Sequence, residues 1–326
     1  MDKTQQEIRK IREVIGKGQN FLIVSHKNVD GDAYGSSMSL YFSLQNLGKT
    51  VEVVNELPVT PLFYFLDIHA CVTKEIRGKK FDAIFVCDCG ELSMIGKYPE
   101  LYADIFMNTP VVNIDHHNGN TMFGTCNFVD SEASSTCELV YDLLRADEKN
   151  ITPQIATLLL FGVIRDTNCF KNSIRPHTFE VTGKLLALGA EYDKIIFHSY
   201  KSEKLNYLQL YGCVLENLIS LKEGTIVGGI ITQDIFERYG ISENEFGPQF
   251  INETLSSIEG ADFAFLIKEM ESGERKLSFR ARRNGFDVSK IARHFGGGGH
   301  IQSAGAYTSE SIEEILKVIG NMDVGI

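Results

Sequence analysis

Three apolar runs in the first half of the chain end in acids or imidazoles. Phe21-Leu22-Ile23-Val24 leads into Ser25-His26, with Asp30 and Asp32 close behind. Ala83-Ile84-Phe85-Val86-Cys87 leads into Asp88, and Val111-Val112-Asn113-Ile114 leads into Asp115-His116-His117. Asp166 adds a carboxylate after the apolar helical run Leu158 to Ile164. Side chains of these types are metal ligands or proton carriers. Buried strands that deliver them at one end build a site at the carboxyl edge of an open α/β sheet. Carboxylates and imidazoles without a participating thiol suit Mn²⁺, or another borderline-hard divalent ion, better than a structural zinc. Converging carboxylates repel one another, so metal is their natural counter-charge. Two ions fit better than one, because a two-metal site holds ions about 3.5–4 Å apart, activates a bridging water and clamps the oxygens of a phosphoryl group.

Each residue also has an ordinary reading. A single Asp after a strand is usually a turn residue or a helix cap. Asp30-Gly31-Asp32 before a helix suits a turn with compensation of the helix dipole. His116-His117 could be one core and one surface histidine, and Cys87 beside Asp88 is ordinary strand core. Their joint occurrence in one βα-ordered half favours a site.

The elements that position these residues follow from periodicity. Ile8, Ile11, Val14 and Ile15 predict an amphipathic helix over residues 3 to 17. Strands are expected at 21–25, 51–54, 82–87 and 111–114, with a helix from Tyr34 to Leu47 closed by Gly48. This βαβ order implies a doubly wound, mainly parallel sheet. Helices are then expected over Cys137–Leu144, Gln154–Val163 and Pro176–Leu188. A first domain over 1–190 would join, through a helical connector at 191–206, a smaller mixed α/β domain over 207–326. There, strands are expected at 225–231, 262–268 and 276–281, with helices near 233–239, 250–257, 287–294 and 310–319.

At 326 residues the chain has room for two ordinary domains, and 43% hydrophobic with 23% charged residues is a globular composition. A net charge of −11 argues against binding long duplex nucleic acid through a broad basic face. It leaves room for a small anion held by metal or by a local basic patch. Seven cysteines, several of them within apolar runs, read as reduced and buried. No signal-peptide core opens the chain and no apolar run nears the roughly 20 residues needed to span a bilayer. The expectation is a cytoplasmic protein without a membrane partner. A homodimer is compatible with the sequence.

The series Ser25-His26-Lys27-Asn28-Val29-Asp30-Gly31-Asp32, Asp88, Asp115-His116-His117 and Asp166-Thr167 resembles the motifs of the DHH phosphoesterase superfamily. Gly296-Gly297-Gly298-Gly299-His300 followed by Ala304-Gly305 resembles the signature of its DHHA1 subfamily domain. The two-domain layout is most similar to the bacterial nanoRNases, also described as pAp phosphatases. The resemblance implies one Mn²⁺ held by His26, Asp30 and Asp88, and a second by Asp32, Asp88, His116 and Asp166, with Asp88 bridging. It implies that His117 contacts the substrate phosphate and assists the leaving oxygen, and that Asp115 orients His116. The activity implied is in-line attack of a bridging hydroxide on very short oligoribonucleotides or 3′-phosphoadenosine 5′-phosphate (pAp). Alternatives are a linear or cyclic dinucleotide phosphodiesterase (pApA, cyclic di-AMP), or an exopolyphosphatase or pyrophosphatase. A nucleotide-sensing module with a degenerate site is disfavoured, since every expected ligand is present. The fourth motif departs from the family pattern: Asn168 stands where Gly is common and Lys171 where Arg is common.

The glycine run offers a backbone free of Cβ atoms that can turn sharply and point N–H groups at an anion. Glycines alone would read as a linker. Ile291, Phe295 and Ile301 close by, and the continuation His300…Ala304-Gly305, favour a substrate loop made by Gly297, Gly298, Gly299 and His300. Upstream, Ser278-Phe279-Arg280-Ala281-Arg282-Arg283 places Arg280 and Arg282 on one side of a strand. Arg280 is the expected phosphate or base contact, because a guanidinium fork suits bidentate phosphate recognition.

Overall fold

The computed structural model describes residues 3–243, 245–247, 249–282 and 285–325, so Arg283 of the basic strand lies outside the described residues. The chain forms two compact units, Met1–Ser202 and Glu203–Ile326. The first begins with α1 (Lys3–Lys17), β1 (Asn20–Ser25), α2 (Gly31–Asn46), β2 (Thr50–Val54) and the two-residue β3 (Val72–Thr73). There follow β4 (Ala83–Cys87), the short helices α3 (Tyr98–Leu101) and α4 (Ala103–Asn108), β5 (Val111–Asp115) and β6 (Cys126–Val129). Helices α5 (Thr136–Leu144), α6 (Pro153–Asp166), α7 (Pro176–Ala187) and α8 (Tyr192–Tyr200) complete the unit.

Its six strands lie in the order β3-β2-β1-β4-β5-β6, and every pair is parallel. Strand order therefore reverses between β1 and β4, and the carboxyl ends of strands at such a switch point open a crevice. β1 and β4 are wholly apolar and buried over Phe21–Val24 and Ala83–Cys87, as strands covered on both faces must be. The polar residues that follow them emerge at that crevice.

Two helix boundaries differ from those expected. α2 begins at Gly31 rather than Tyr34, because Asp30 is its N-cap and accepts from the Asp32 and Ala33 amides at 3.0 and 3.1 Å. α6 continues to Asp166, so that carboxylate closes the helix instead of following it. Close approach of α2, α5 and α6 depends on two glycines. A Cβ on Gly35 would lie 2.7 Å from both Cys137 Sγ and Leu158 O, and one on Gly162 would overlap Cys137 Sγ and reach 2.8 Å from Asp32 Oδ1. That approach seats the start of α5 against Asp32.

The second unit contains α9 (Leu205–Glu216), β7 (Ile219–Leu221), β8 (Ile226–Ile231), α10 (Gln233–Tyr239), β9 (Phe263–Glu269) and β10 (Arg275–Ala281). It ends with α11 (Ser289–His294), β11 (Gly298–His300), β12 (Ser303–Thr308) and α12 (Ile312–Asn321). The sheet order is β11-β12-β10-β9-β8-β7, antiparallel except for β8–β9. Residues 250–257, expected as an α-helix, form one wide π turn (Phe250–Thr254) and one 3₁₀ turn (Leu255–Ser257). Among the described residues, no helix is long and apolar enough to cross a membrane.

Candidate metal centre

The first unit brings His26, Asp30, Asp32, Asp88, Asp115, His116, His117 and Asp166 together at the carboxyl ends of β1, β4 and β5 and the end of α6. Three sets of side chains each offer ligand atoms within 4.8 Å of one another: His26, Asp30 and Asp88; Asp32, His116 and Asp166; and Asp88, His116 and His117. His26 Nε2 lies 3.8 Å from Asp30 Oδ1 and 3.6 Å from Asp88 Oδ2. His116 Nε2 lies 3.3 Å from Asp166 Oδ2, 3.7 Å from Asp88 Oδ1 and 3.9 Å from Asp32 Oδ2. Most of these separations are too long for good hydrogen bonds. They suit oxygen and nitrogen ligands arranged around a common cation. The two oxygens of Asp88 face different imidazoles, as a carboxylate shared by two sites requires.

Local backbone features aim these groups. Asp88 takes a left-handed φ of 63°, held by its N–H donating to Ile114 O at 2.9 Å, and strain of this kind concentrates at functional positions. His116 Nδ1 donates to Ala133 O at 3.3 Å, which turns Nε2 toward the carboxylates as the nitrogen available to a metal. Asp30 fills both roles weighed from sequence, capping α2 while lying beside His26. Asn168 has φ 47°, a conformation that Asn tolerates better than most residues, so replacement of the common Gly leaves this turn intact.

Expectation and structure differ for Asp115. Its Oδ1 accepts from His117 Nδ1 at 2.7 Å, so it orients His117, and His116 is held instead by a backbone carbonyl. β5 ends at Asp115, and the chain beyond it brings the ring of His117, not that of His116, back against the Asp115 carboxylate.

Several supporting residues escaped the sequence reading. The α5 amides of Thr136 and Cys137 donate to Asp32 at 2.6 and 2.9 Å, and Thr136 Oγ1 donates to Asp88 Oδ1 at 2.9 Å. A helix N-terminus thus faces the buried carboxylates of Asp32 and Asp88, where its dipole favours negative charge. Buried Glu138 fixes that terminus by accepting from Ser134 Oγ (2.6 Å), Thr178 Oγ1 (2.8 Å) and Arg175 Nε (2.6 Å). The Ser135–Glu138 spacing before an apolar run was the available signal.

Charge in the cluster is out of balance without a cation. Burial, then the charges of Asp88 and Asp166, holds the Asp32 carboxyl well above the usual range. Burial and the charges of Asp88 and Asp30 push Asp166 up to about 8. Burial opposes the His26 imidazolium, but its interaction with the nearby Asp30 and Asp88 carboxylates outweighs it and raises His26 to about 10. The hydrogen bond to Asp115, against burial and with help from the Asp88 charge, raises His117 to about 9. Such a site takes up either protons or metal, and its donor set of imidazole nitrogens and carboxylate oxygens fits a divalent ion.

In the second unit Arg280, Gly297 and Gly298 line an open cavity of about 480 Å³ with Lys276, Ser278 and Tyr307. Gly299 and His300 do not line it, and His300 is exposed. The glycine run, expected as a loop, is half strand: Gly298, Gly299 and His300 pair with Gly305, Ala304 and Ser303. Gly299 has φ 140°, and a Cβ there would lie 2.5 Å from Ser303 O, so close hairpin pairing demands this glycine. Arg280 Nε donates to Asn252 Oδ1 at 2.6 Å and its Nη1 to Phe279 O at 2.8 Å.

At the switch point of its parallel sheet the first unit gathers imidazoles and carboxylates that offer a divalent ion a ready ligand set. Residues 20–163 match the model of the DHH family, N-terminal domain, and residues 247–322 match that of the DHHA1 domain. The bifunctional oligoribonuclease and PAP phosphatase NrnA of Thermus thermophilus is 28% identical over 304 residues, 92% of this chain and 88% of that protein. Its Bacillus subtilis counterpart is 27% identical over 312 residues, covering 90% and 92%. The crystal structure of an exopolyphosphatase-related protein from Bacteroides fragilis superposes with a TM-score of 0.88 at 25% identity, over 98% of this chain and 96% of that one. The chain belongs to the DHH/DHHA1 phosphoesterase family and is a phosphoric ester hydrolase.

Proposed function

We propose that this protein is a Mn²⁺-dependent phosphodiesterase and phosphatase acting on very short oligoribonucleotides, on pAp, or on both. The observation that carries the reading is that Asp88 turns one oxygen toward His26, at 3.6 Å, and the other toward His116, at 3.7 Å, and so lies between the His26–Asp30 and the Asp32–His116–Asp166 groups. His26, Asp30 and Asp88 would hold one ion; Asp32, His116 and Asp166, with Asp88 shared, would hold the other. When bound, the ions supply Lewis-acid stabilisation of charge on the phosphoryl oxygens. The chain's own residues do the rest. Thr136 and the start of α5 keep Asp88 and Asp32 in place. His117, whose side chain is 41% exposed, contacts the phosphate and delivers a proton to the leaving oxygen. In the second unit Arg280, Gly297, Gly298, Gly299 and His300 are proposed to bind the nucleotide. The activities for which the two NrnA relatives are named favour nucleotide substrates, and the net charge of −11 disfavours long duplexes.

A second reading, hydrolysis of inorganic polyphosphate, is favoured by likeness to the exopolyphosphatase-related protein. Product analysis of the Mn²⁺-loaded protein separates the two. RNA of two to about ten nucleotides, pAp, cyclic di-AMP and polyphosphate are offered in parallel, and the nucleotide reading expects turnover of short RNA or pAp. Turnover of polyphosphate alone would refute it.

A further inference from the structure

We infer that Asn120 is a positioning residue for this reaction, setting the ring of His117 through Asp115; the inference rests on the phosphodiesterase reading above. Asn120 Nδ2 lies 2.6 Å from Asp115 Oδ2, 2.8 Å from Asn113 Oδ1 and 3.1 Å from Cys89 O. Its Oδ1 accepts from the Met122 amide at 2.7 Å, across a turn in which Met122 has φ 54°. All three atoms around Nδ2 are acceptors and the partner of Oδ1 is a donor, so chemistry fixes which way the amide faces. Asn113, fully buried, donates to the same Cys89 carbonyl at 3.1 Å and so anchors the pair between the ends of β4 and β5.

These hydrogen bonds have one direction. Asn120 donates to one oxygen of Asp115, which is wholly buried, and the other oxygen faces His117 Nδ1 at 2.7 Å. A carboxylate held in this way is an acceptor, so Nδ1 carries the hydrogen. The 3.7 Å approach of His117 Nδ1 to Asp88 is then no ligand geometry. Nδ1 is engaged, and Nε2 alone remains to exchange a proton. In hydrolysis a water oxygen forms the new bond to phosphorus and its proton passes to solvent. The bond from phosphorus to the leaving ribose oxygen breaks with its electron pair on that oxygen, which takes the proton from His117 Nε2. Asn120 touches neither substrate nor reacting atoms; it keeps Asp115, and so the imidazole, aimed.

The test uses the full chain with Mn²⁺, as wild type, Asn120→Ala, His117→Ala and the double variant. Substrates are an RNA dinucleotide, whose leaving alkoxide needs a proton, and thymidine 5′-p-nitrophenyl phosphate, whose leaving phenolate does not. Asn120→Ala is expected to lose roughly 10- to 100-fold in kcat on the dinucleotide and far less on the nitrophenyl ester. Bound Mn²⁺ per chain should be unchanged, and in the His117→Ala background Asn120→Ala should cost nothing further. Equal losses on both substrates, an additive loss in the double variant, or loss of metal would overturn the inference. If Asn120→Ala does not fold, ¹⁵N shifts of the metal-free wild type, recorded at a pH high enough for a neutral His117 ring, decide: hydrogen on Nδ1 of His117 supports it and hydrogen on Nε2 alone overturns it. A wild type that cleaves neither diester refutes the phosphodiesterase reading instead, and the tautomer measurement still decides the inference.

Discussion

A divalent ion such as Mn²⁺ entering the cluster would have to displace protons, and the number is calculable. In the metal-free chain Asp166 titrates at about 8 and His26 at about 10. At pH 7 a group with pKa 8 is about nine-tenths protonated and one with pKa 10 almost fully so, which gives about 1.9 protons. Asp32, also raised, adds to that total. Bound ligands carry no proton on the coordinating atom, so binding at pH 7 should release at least about two protons, and affinity should rise roughly 100-fold or more from pH 6 to pH 7. Titration calorimetry with Mn²⁺ in buffers of different ionisation enthalpy measures the count directly, as the slope of observed heat against buffer heat. Release of less than about half a proton would refute the argument, because it would mean that these groups are already ionised or do not meet the metal.

The same groups set the stability of the metal-free chain. Asp166 and His26 have folded pKa values above their ordinary ones, so their contribution is complete at low pH and is lost as pH rises through about 8 and about 10. Asp30 and Asp115 are lowered, which affects only strongly acidic solutions. The Tm of metal-free protein should therefore fall between pH 6 and pH 9, and saturating Mn²⁺ should abolish the fall; a flat metal-free profile would count against it. Asp88→Ala removes the carboxylate that both sets share and should cost several powers of ten in kcat. A folded variant that keeps more than about a tenth of wild-type kcat, under 1.4 kcal/mol of barrier, contradicts the sharing. Arg280→Ala or His300→Ala should leave Mn²⁺ stoichiometry intact and weaken kcat/KM for a nucleotide by roughly 2–4 kcal/mol. Loss of metal in either variant would show that the division of tasks is wrong.

How much was legible depends on side-chain size. β1 and β4 hold unbroken apolar runs, β5 holds one interrupted only by Asn113, and α1, α5, α6 and α7 carry a helical period, so sequence pattern located all of them to within a few residues. β12, Ser-Ala-Gly-Ala-Tyr-Thr, has almost no large apolar side chain, and β11 is two glycines and a histidine. Nothing in their composition separates them from loop. Their pairing is decided by contacts with β10 and by glycines that permit close backbone approach, which is long-range information. β3 has two residues and β7 three, too short for any period to show.

The charged residues of the site were legible because each stands at the end of an apolar run. The neutral residues that hold them were not. Thr136, Asn113 and Asn120 are ordinary polar residues until the fold sets Thr136 against Asp88 and Asn120 against Asp115. Their importance follows from the repulsion that the acids create. Asp32 and Asp88 are almost fully buried, at 1% and 2% exposure, so water cannot relieve their mutual repulsion. Before metal arrives, relief must come from protons, from the start of α5 and from hydroxyl or amide donors. A cluster held by neutral donors keeps its shape when cations enter or leave, whereas one held by lysines or arginines would compete with the metal for the same oxygens. Among the described residues the carboxylates of the two ligand sets pair with imidazoles and with no lysine or arginine. Arg175 is kept at a distance from the ligands, paired with Asp130 and Glu138 behind α5. Leaving the acids without a fixed cation gives a metal ion the strongest available attraction at the switch point of the sheet.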